Sequence, residues 1–140
     1  MMAQMALDGR NHDPLRLREL LQRAESLASQ HAVSSVVVGM AGPEGDLIFP
    51  AVVDYLESAL RVDDAIFRMT RERAVLVLAD VDRARAQEIV ARLLSGFAEQ
   101  YAQVGAPEIH LGYFEVTPQH KHLTVKEVLP LVFAAAPIAN

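Results

Sequence analysis

Arg61 and Asp64, spaced R-x-x-D, are the pair in this chain best equipped for recognition chemistry. A guanidinium presents a planar fork of donors that matches phosphate, carboxylate or a nucleobase edge. An aspartate beside it adds acceptors for N–H groups. The plainer alternative is that the two close on each other as a surface ion pair worth ~0–1 kcal/mol, with the aspartate ordering a turn. Nearby, Thr70-Arg71-Glu72-Arg73 is a basic turn, either a solvated hairpin tip or a knob for docking a partner. His120-Lys121-His122 would place two imidazoles on one face of a strand, as a zinc pair requires. That segment follows Pro118, however, with no cysteine and only Glu127 as a neighbouring carboxylate, so a solvated loop is the simpler reading. Asp80-Val81-Asp82 has the form of a metal D-x-D, but helix capping by Asp82 accounts for it. His110 has no serine or cysteine nucleophile paired with it in the sequence and reads as a packed or edge side chain.

These residues need elements to hold them. Asp13-Pro14 predicts a helix start, and Leu17, Leu20, Leu21, Ala24, Leu27 and Ala28 recur at helical spacing behind it. The outer face of that helix mixes arginine and glutamate, and two heptads are too short to define a coiled coil. Residues 34–40, SSVVVGM, form an unbroken β-branched run, the pattern of a buried strand. AGPEGD at 41–46 is turn chemistry, followed by a helix over about 49–60 with Pro50 in its first turn. Strands over 65–69 and 74–79 flank the Thr70–Arg73 turn as a hairpin. A long helix follows, capped by Asp82 and carrying Ala86, Ile89, Val90, Leu93, Phe97 and Tyr101 on one side. Gly96 lies inside it, at a cost of ~1 kcal/mol relative to alanine and with a bend as one outcome. A fourth strand over 109–116 and a last helix over 125–135, capped by Thr124 and stopped by Pro137, complete the order. Helix, βαββαβ, helix predicts an α+β fold: a ferredoxin-like antiparallel sheet with helices on one face and an extra N-terminal helix. Residues 1–12 read as a flexible tail and 13–140 as one domain.

Composition bounds the function. The 140 residues are 51% apolar and 22% charged, a globular profile with room for a core. Without cysteine there is no disulfide, thiolate metal site or cysteine nucleophile. No apolar run approaches the ~20 residues of a membrane span, and the N-terminus lacks a signal peptide's apolar core, so a cytoplasmic location is expected. A net charge of -5 argues against general attraction to nucleic acid or an anionic membrane. An anionic ligand would need a local basic cluster.

In order and spacing, residues 61–80 resemble the signature region of GGDEF domains, the bacterial cyclic di-GMP synthases. Members of that family often read G-D-x-L-L, a helix, R-x-x-D, five residues and a glycine pair. Gly45-Asp46, the helix, Arg61 to Asp64, AIFRM and Thr70-Arg71 fall into that spacing without a gap. Asp82 with Ala86, and Arg92 within IVARLL, resemble the family's D-x-x-x-A and A-E-R segments. His110-Leu111-Gly112 resembles its S-I-G strand, and Asp13-Pro14-Leu15 the D-P-L that opens the domain.

Three departures from the family pattern bear on activity. Thr70, Arg71, Glu72, Arg73 and Ala74 stand where the family has Gly-Gly-Asp/Glu-Glu-Phe. Arg71 brings a Cβ where backbone N–H groups should approach phosphate, and Arg73 puts a positive charge where Mg²⁺ needs a carboxylate. Gly39 and Met40 end the first strand where the family has a metal-binding Asp, and the helix that follows it there is missing. Asp46 matches a guanine-contacting Asp whose Asn partner has no equivalent. The family's phosphate-binding Lys is absent from LPLVFAAAPIAN. The resemblance therefore implies a degenerate, catalytically inactive domain without a metal or other cofactor. What persists is the family's inhibitory site, which binds cyclic di-GMP through Arg on phosphate and guanine and Asp on the base. Arg61 and Asp64 fall there, with Arg92 near a second arginine's place. Two readings follow: an effector whose cyclic di-GMP binding shifts contacts with a partner or second copy, or a scaffold for protein interaction or dimerisation that has lost every ligand.

Overall fold

The computed structural model describes residues 14–134; the expected tail at 1–12, the cap at Asp13 and the stop at Pro137 lie outside them. The elements are α1 (Pro14–His31), β1 (Ser35–Ala41), α2 (Phe49–Ala59), β2 (Ala65–Thr70), β3 (Arg73–Ala79), α3 (Arg83–Gln100), β4 (His110–Val116) and α4 (Val125–Phe133). The sheet runs β2-β3-β1-β4 with every neighbouring pair antiparallel. Each βα unit returns to the sheet two positions from where it left, with one strand in between, which is the ferredoxin-like split βαβ plan.

The two central strands, SVVVGMA and RAVLVLA, lack the polar alternation of a half-solvated strand. Both of their faces therefore need cover. Val36, Val38, Met40, Ile66, Leu76 and Leu78 pack under α2 and α3 through Phe49, Val52, Leu56, Val90 and Phe97. Val37, Phe67, Val75, Val77 and Val116 pack under α1 and α4 through Leu17, Leu21, Ala24, Val128 and Val132. The helices of the two βα units, α2 and α3, lie on one face as expected, while α1 and α4 cover the other. Fully burying one aliphatic side chain is worth about 1.5–3 kcal/mol, so a bare second face on β1 and β3 would forfeit much of the core.

Glycines set how closely helices approach this sheet. Gly39 and Gly112 are cross-strand partners. A Cβ at Gly39 would stand 2.6 Å from the Val132 carbonyl oxygen, and one at Gly112 only 2.0 Å from it. The pair forms a notch in which the α4 backbone sits directly on the sheet. Gly96 does a similar job between helices, because a Cβ there would meet the Tyr55 hydroxyl at 2.3 Å. α3 continues as one helix through Gly96, with Tyr55 edge-on to Phe97 at 5.8 Å.

The predicted caps at Asp82 and Thr124 form. Asp82 accepts from the Arg85 N–H at 2.8 Å. Thr124 and Glu127 make a reciprocal capping box at the start of α4.

Candidate functional site

Candidate residues collect at opposite ends of the sheet. The register pairs Ala41 with Arg73, which sets the β2–β3 turn beside the C-terminal end of β1. It pairs Ser35 with Ala79, which sets the R-x-x-D segment at the other end.

At the turn end, β2 carries an irregularity between Arg68 and Thr70, and the turn tightens to Arg71 and Glu72. Glu72 holds the β1–α2 loop twice. Its carbonyl accepts from the Gly42 N–H at 2.8 Å, and its carboxylate accepts from the Gly45 N–H at 3.1 Å. Asp46 accepts from the Ile48 N–H at 3.0 Å and so orders the entry to α2. Arg73 lies over the Phe133 ring at 4.9 Å, within cation–π range. Arg68 donates to Asp54 and, at 2.9 Å, to Glu57. Burial lowers its pKa, but the hydrogen bonds to those carboxylates carry the net shift upward. Arg71 is exposed and borders a shallow cavity of about 290 Å³ with Pro50, Arg68, Met69 and Thr70.

At the other end, Arg61, Asp64 and Arg92 share one cleft of about 150 Å³ with Leu60, Ile89, Leu93 and Arg85. Arg61 donates through Nε to Asp64 Oδ2 at 2.7 Å and through Nη2 to Oδ1 at 2.9 Å. Nη2 also reaches the Ala79 carbonyl at 2.8 Å. Oδ1 in turn accepts from the Ala79 N–H at 3.0 Å. The R-x-x-D segment thus ties the start of β2 to the end of β3. The Arg61 pKa is raised, chiefly by the Asp64 hydrogen bond; partial burial works against it, and the charges of Asp64, Asp63 and Asp80 add to it. Arg85 makes an exposed pair with Glu88 at 3.0 Å.

Arg85 is a cleft residue that the R-x-x-D spacing does not single out. Its signal was present: Arg85, Ile89 and Arg92 follow at four and three residues, one face of a helix. What the sequence lacked was any sign that this face meets Arg61.

The histidines separate. His120 accepts from the Thr117 N–H at 3.0 Å through Nδ1 and lies 4.8 Å from the Phe114 ring. His122 has φ 58° in the same loop and borders a different cavity, between α1 and the start of α4. They share no strand face, and the described residues contain no cluster of metal-ligating side chains. His110 is exposed at the start of edge strand β4.

A family model, the GGDEF domain of diguanylate cyclases, matches residues 42–129. That span covers more than half of the chain and contains the R-x-x-D segment, the β2–β3 turn and Arg92. The chain belongs to the GGDEF family. Solved structures agree on the fold. A fragment of PelD (residues 156–455) from Pseudomonas aeruginosa PA14 in complex with c-di-GMP matches with a TM-score of 0.67 at 20% identity, covering 79% of this chain and 42% of that one. The GGDEF domain of FimX from Pseudomonas aeruginosa matches with a TM-score of 0.66 at 11% identity, covering 89% and 90%. The diguanylate cyclase SiaD in complex with its activator SiaC, also from Pseudomonas aeruginosa, matches with a TM-score of 0.62 at 17% identity, covering 96% and 61%. The chain therefore spans less than half of the PelD fragment. Among curated proteins there is no match. Among the described residues no helix is long and apolar enough to cross a membrane.

Proposed function

We propose that this GGDEF domain makes no cyclic di-GMP and instead binds it, as an effector, in the cleft of Arg61, Asp64 and Arg92. The observation that carries this reading is the convergence of arginines from two distant segments, the α2–β2 link and α3, on one cleft. Leu60, Ile89 and Leu93 line it with apolar surface on which a base can stack. At about 150 Å³ the cleft is smaller than the ~300–1,000 Å³ of a typical ligand pocket, so it suits one base and its phosphate, with the rest of a dinucleotide left to solvent or a second protein surface. The absence of catalysis is supported at the other end. Phosphoryl transfer depends on positioning and charge neutralisation. There the surviving carboxylate, Glu72, is bonded to Gly45, and Arg73 occupies a carboxylate's place.

A second reading has its own observation. The Arg61–Asp64–Ala79 tie is complete without a ligand. On that reading the domain is a protein-interaction or dimerisation scaffold, and the tie is only part of its frame. Calorimetric titration with cyclic di-GMP and GTP, on wild type, Arg61→Ala and Arg92→Ala, separates the two. Micromolar binding of cyclic di-GMP weakened by both substitutions supports the effector. Arg92 is exposed, so its variant keeps the test clear of any folding defect at Arg61. No heat from either nucleotide leaves the scaffold. Turnover of GTP with Mg²⁺ would overturn both.

A further inference from the structure

Between α1 and the loop that leads into α4 lies a cavity of about 650 Å³, against about 150 Å³ for the R-x-x-D cleft. That volume is within the range of small-molecule sites. The two hollows belong to opposite faces of the sheet, since α1 and α4 cover Val37, Val75 and Val77 while α3 helps to cover Val38 and Leu76. Leu15, Leu123 and Val125 give the cavity apolar walls. Leu15 is 61% exposed and the other two are half-buried, so this apolar surface meets water. The Leu123 N–H donates to the Glu25 carboxylate at 2.6 Å and so holds the two sides of the cavity together.

The charges around this cavity are out of balance. Arg18 of α1, Lys126 of α4 and His122 of the loop line it, with Glu25 as the one carboxylate. The Arg18 and Lys126 side chains make no ion pair or hydrogen bond with another described residue. Every carboxylate of α1 and α4 is committed. Glu19 pairs with Arg16 at 3.6 Å, Glu25 accepts from Leu123, and Glu127 closes the capping box with Thr124. In a chain of net charge -5, two unpaired cations from two helices beside an apolar hollow are a local reversal of sign. The start of α4 adds to it, because Val125 and Lys126 are its first two residues and the positive end of its dipole lies there. With His122 neutral and Glu25 counted, Arg18 and Lys126 leave an excess of one positive charge, the complement of a single anionic head.

We infer that this cavity binds an amphipathic anion: a single-chain carboxylate of the fatty-acid class, its chain against Leu15, Leu123 and Val125 and its head between Arg18 and Lys126. The Glu25–Leu123 tie bounds a hollow of molecular size rather than a flat face, which favours a free molecule over a bilayer or a second copy of the chain. The inference goes beyond the effector reading and does not rest on it.

Decanoate, titrated calorimetrically into the full chain, tests it, with octanoate and 1-decanol as controls. Expected is micromolar binding of decanoate. Octanoate, two methylenes shorter, should bind about tenfold weaker, and decanol, which lacks the charge, at least about fivefold weaker. Arg18→Ala combined with Lys126→Ala should weaken decanoate by at least about fivefold, with the melting temperature unchanged because both side chains are exposed. Cyclic di-GMP in excess should leave the decanoate Kd where it was. Decanol bound as well as decanoate, no binding of decanoate, or its displacement by cyclic di-GMP overturns the inference. Pelleting with phosphatidylglycerol vesicles without binding of free decanoate also overturns it and assigns the face to a membrane surface. A dimer mass by light scattering that the double variant reduces to the monomer overturns it in favour of a second copy.

Discussion

The two ends of the sheet contain similar residue types and use them differently. At the β2–β3 turn, every polar group matched to the family's catalytic positions except exposed Arg71 is engaged in holding the fold, Thr70 by accepting from the Glu72 N–H at 3.3 Å. Glu72 fastens the β1–α2 loop, Asp46 orders the start of α2 and Arg73 rests on Phe133. At the cleft, Arg61 and Asp64 are likewise engaged in the fold, but α3 adds two arginines with little structural work to do. A side chain whose donors and acceptors are satisfied within the chain is poorly placed to bind anything else, because every new contact must first break an old one. The difference between the ends therefore lies in which charges are left over. At the turn that is exposed Arg71; at the cleft it is Arg85 and Arg92, both on α3.

The largest expected effect tests whether the ends are independent. Gly112→Ala forces α4 off the notch, since the new Cβ would meet the Val132 carbonyl at 2.0 Å. Overpacking of this kind costs about 1–3 kcal/mol or more, visible as a fall in melting temperature. Because Arg73 rests on Phe133 of α4, hydrogen exchange should quicken at Arg71–Arg73. The affinity of the cleft for cyclic di-GMP should not change; a parallel loss there would mean that the ends are coupled through α4.

Next comes the tie itself. Asp64→Ala strands the Ala79 N–H and removes the partner of Arg61. Discounted for the exposure of Arg61, a loss of about 1–3 kcal/mol in denaturant unfolding is expected. Glu72→Ala should cost less, about 0.5–1.5 kcal/mol, because the Gly45 N–H it releases can turn to water. If Glu72→Ala proved the more damaging, the assignment of structural weight to the two ends would be reversed.

The smallest effect concerns charge. Asp63 is exposed and adds to the field that raises the Arg61 pKa. Asp63→Asn should tighten cyclic di-GMP binding by about two- to threefold at low salt, with the gain fading as salt screens it. An unchanged Kd at low ionic strength would mean that the ligand's phosphates sit outside the reach of this carboxylate.

Local chemistry made much of the fold legible. The apolar runs of β1 and β3, the turn at 41–46, the hairpin and the caps at Asp82 and Thr124 all rest on nearest-neighbour rules, and the structure has them where the pattern placed them. The spacing from Gly45 through R-x-x-D to the turn was also enough to identify the family, which the match over residues 42–129 bears out. The second layer of helices was not legible, because a continuous apolar strand does not say which distant helix will cover its other face. Gly96 looked like a weak point in a helix and Gly39 like a missing ligand. Their reasons, the Tyr55 hydroxyl and the α4 backbone, lie on other elements.

For the candidate site the boundary falls in the same place. The chain by itself determined that Arg61 and Asp64 would be adjacent, since three residues across a turn allow little else. Only the tertiary structure decided that Asp64 would be enclosed, that Arg61 would spend its fork on Asp64 and Ala79, and that Arg85 would join Arg92 beside them. Sequence spacing fixes contacts within one element, where the geometry of the backbone repeats. Burial and the meeting of side chains from separate elements depend on how the layers pack, and no local pattern encodes that.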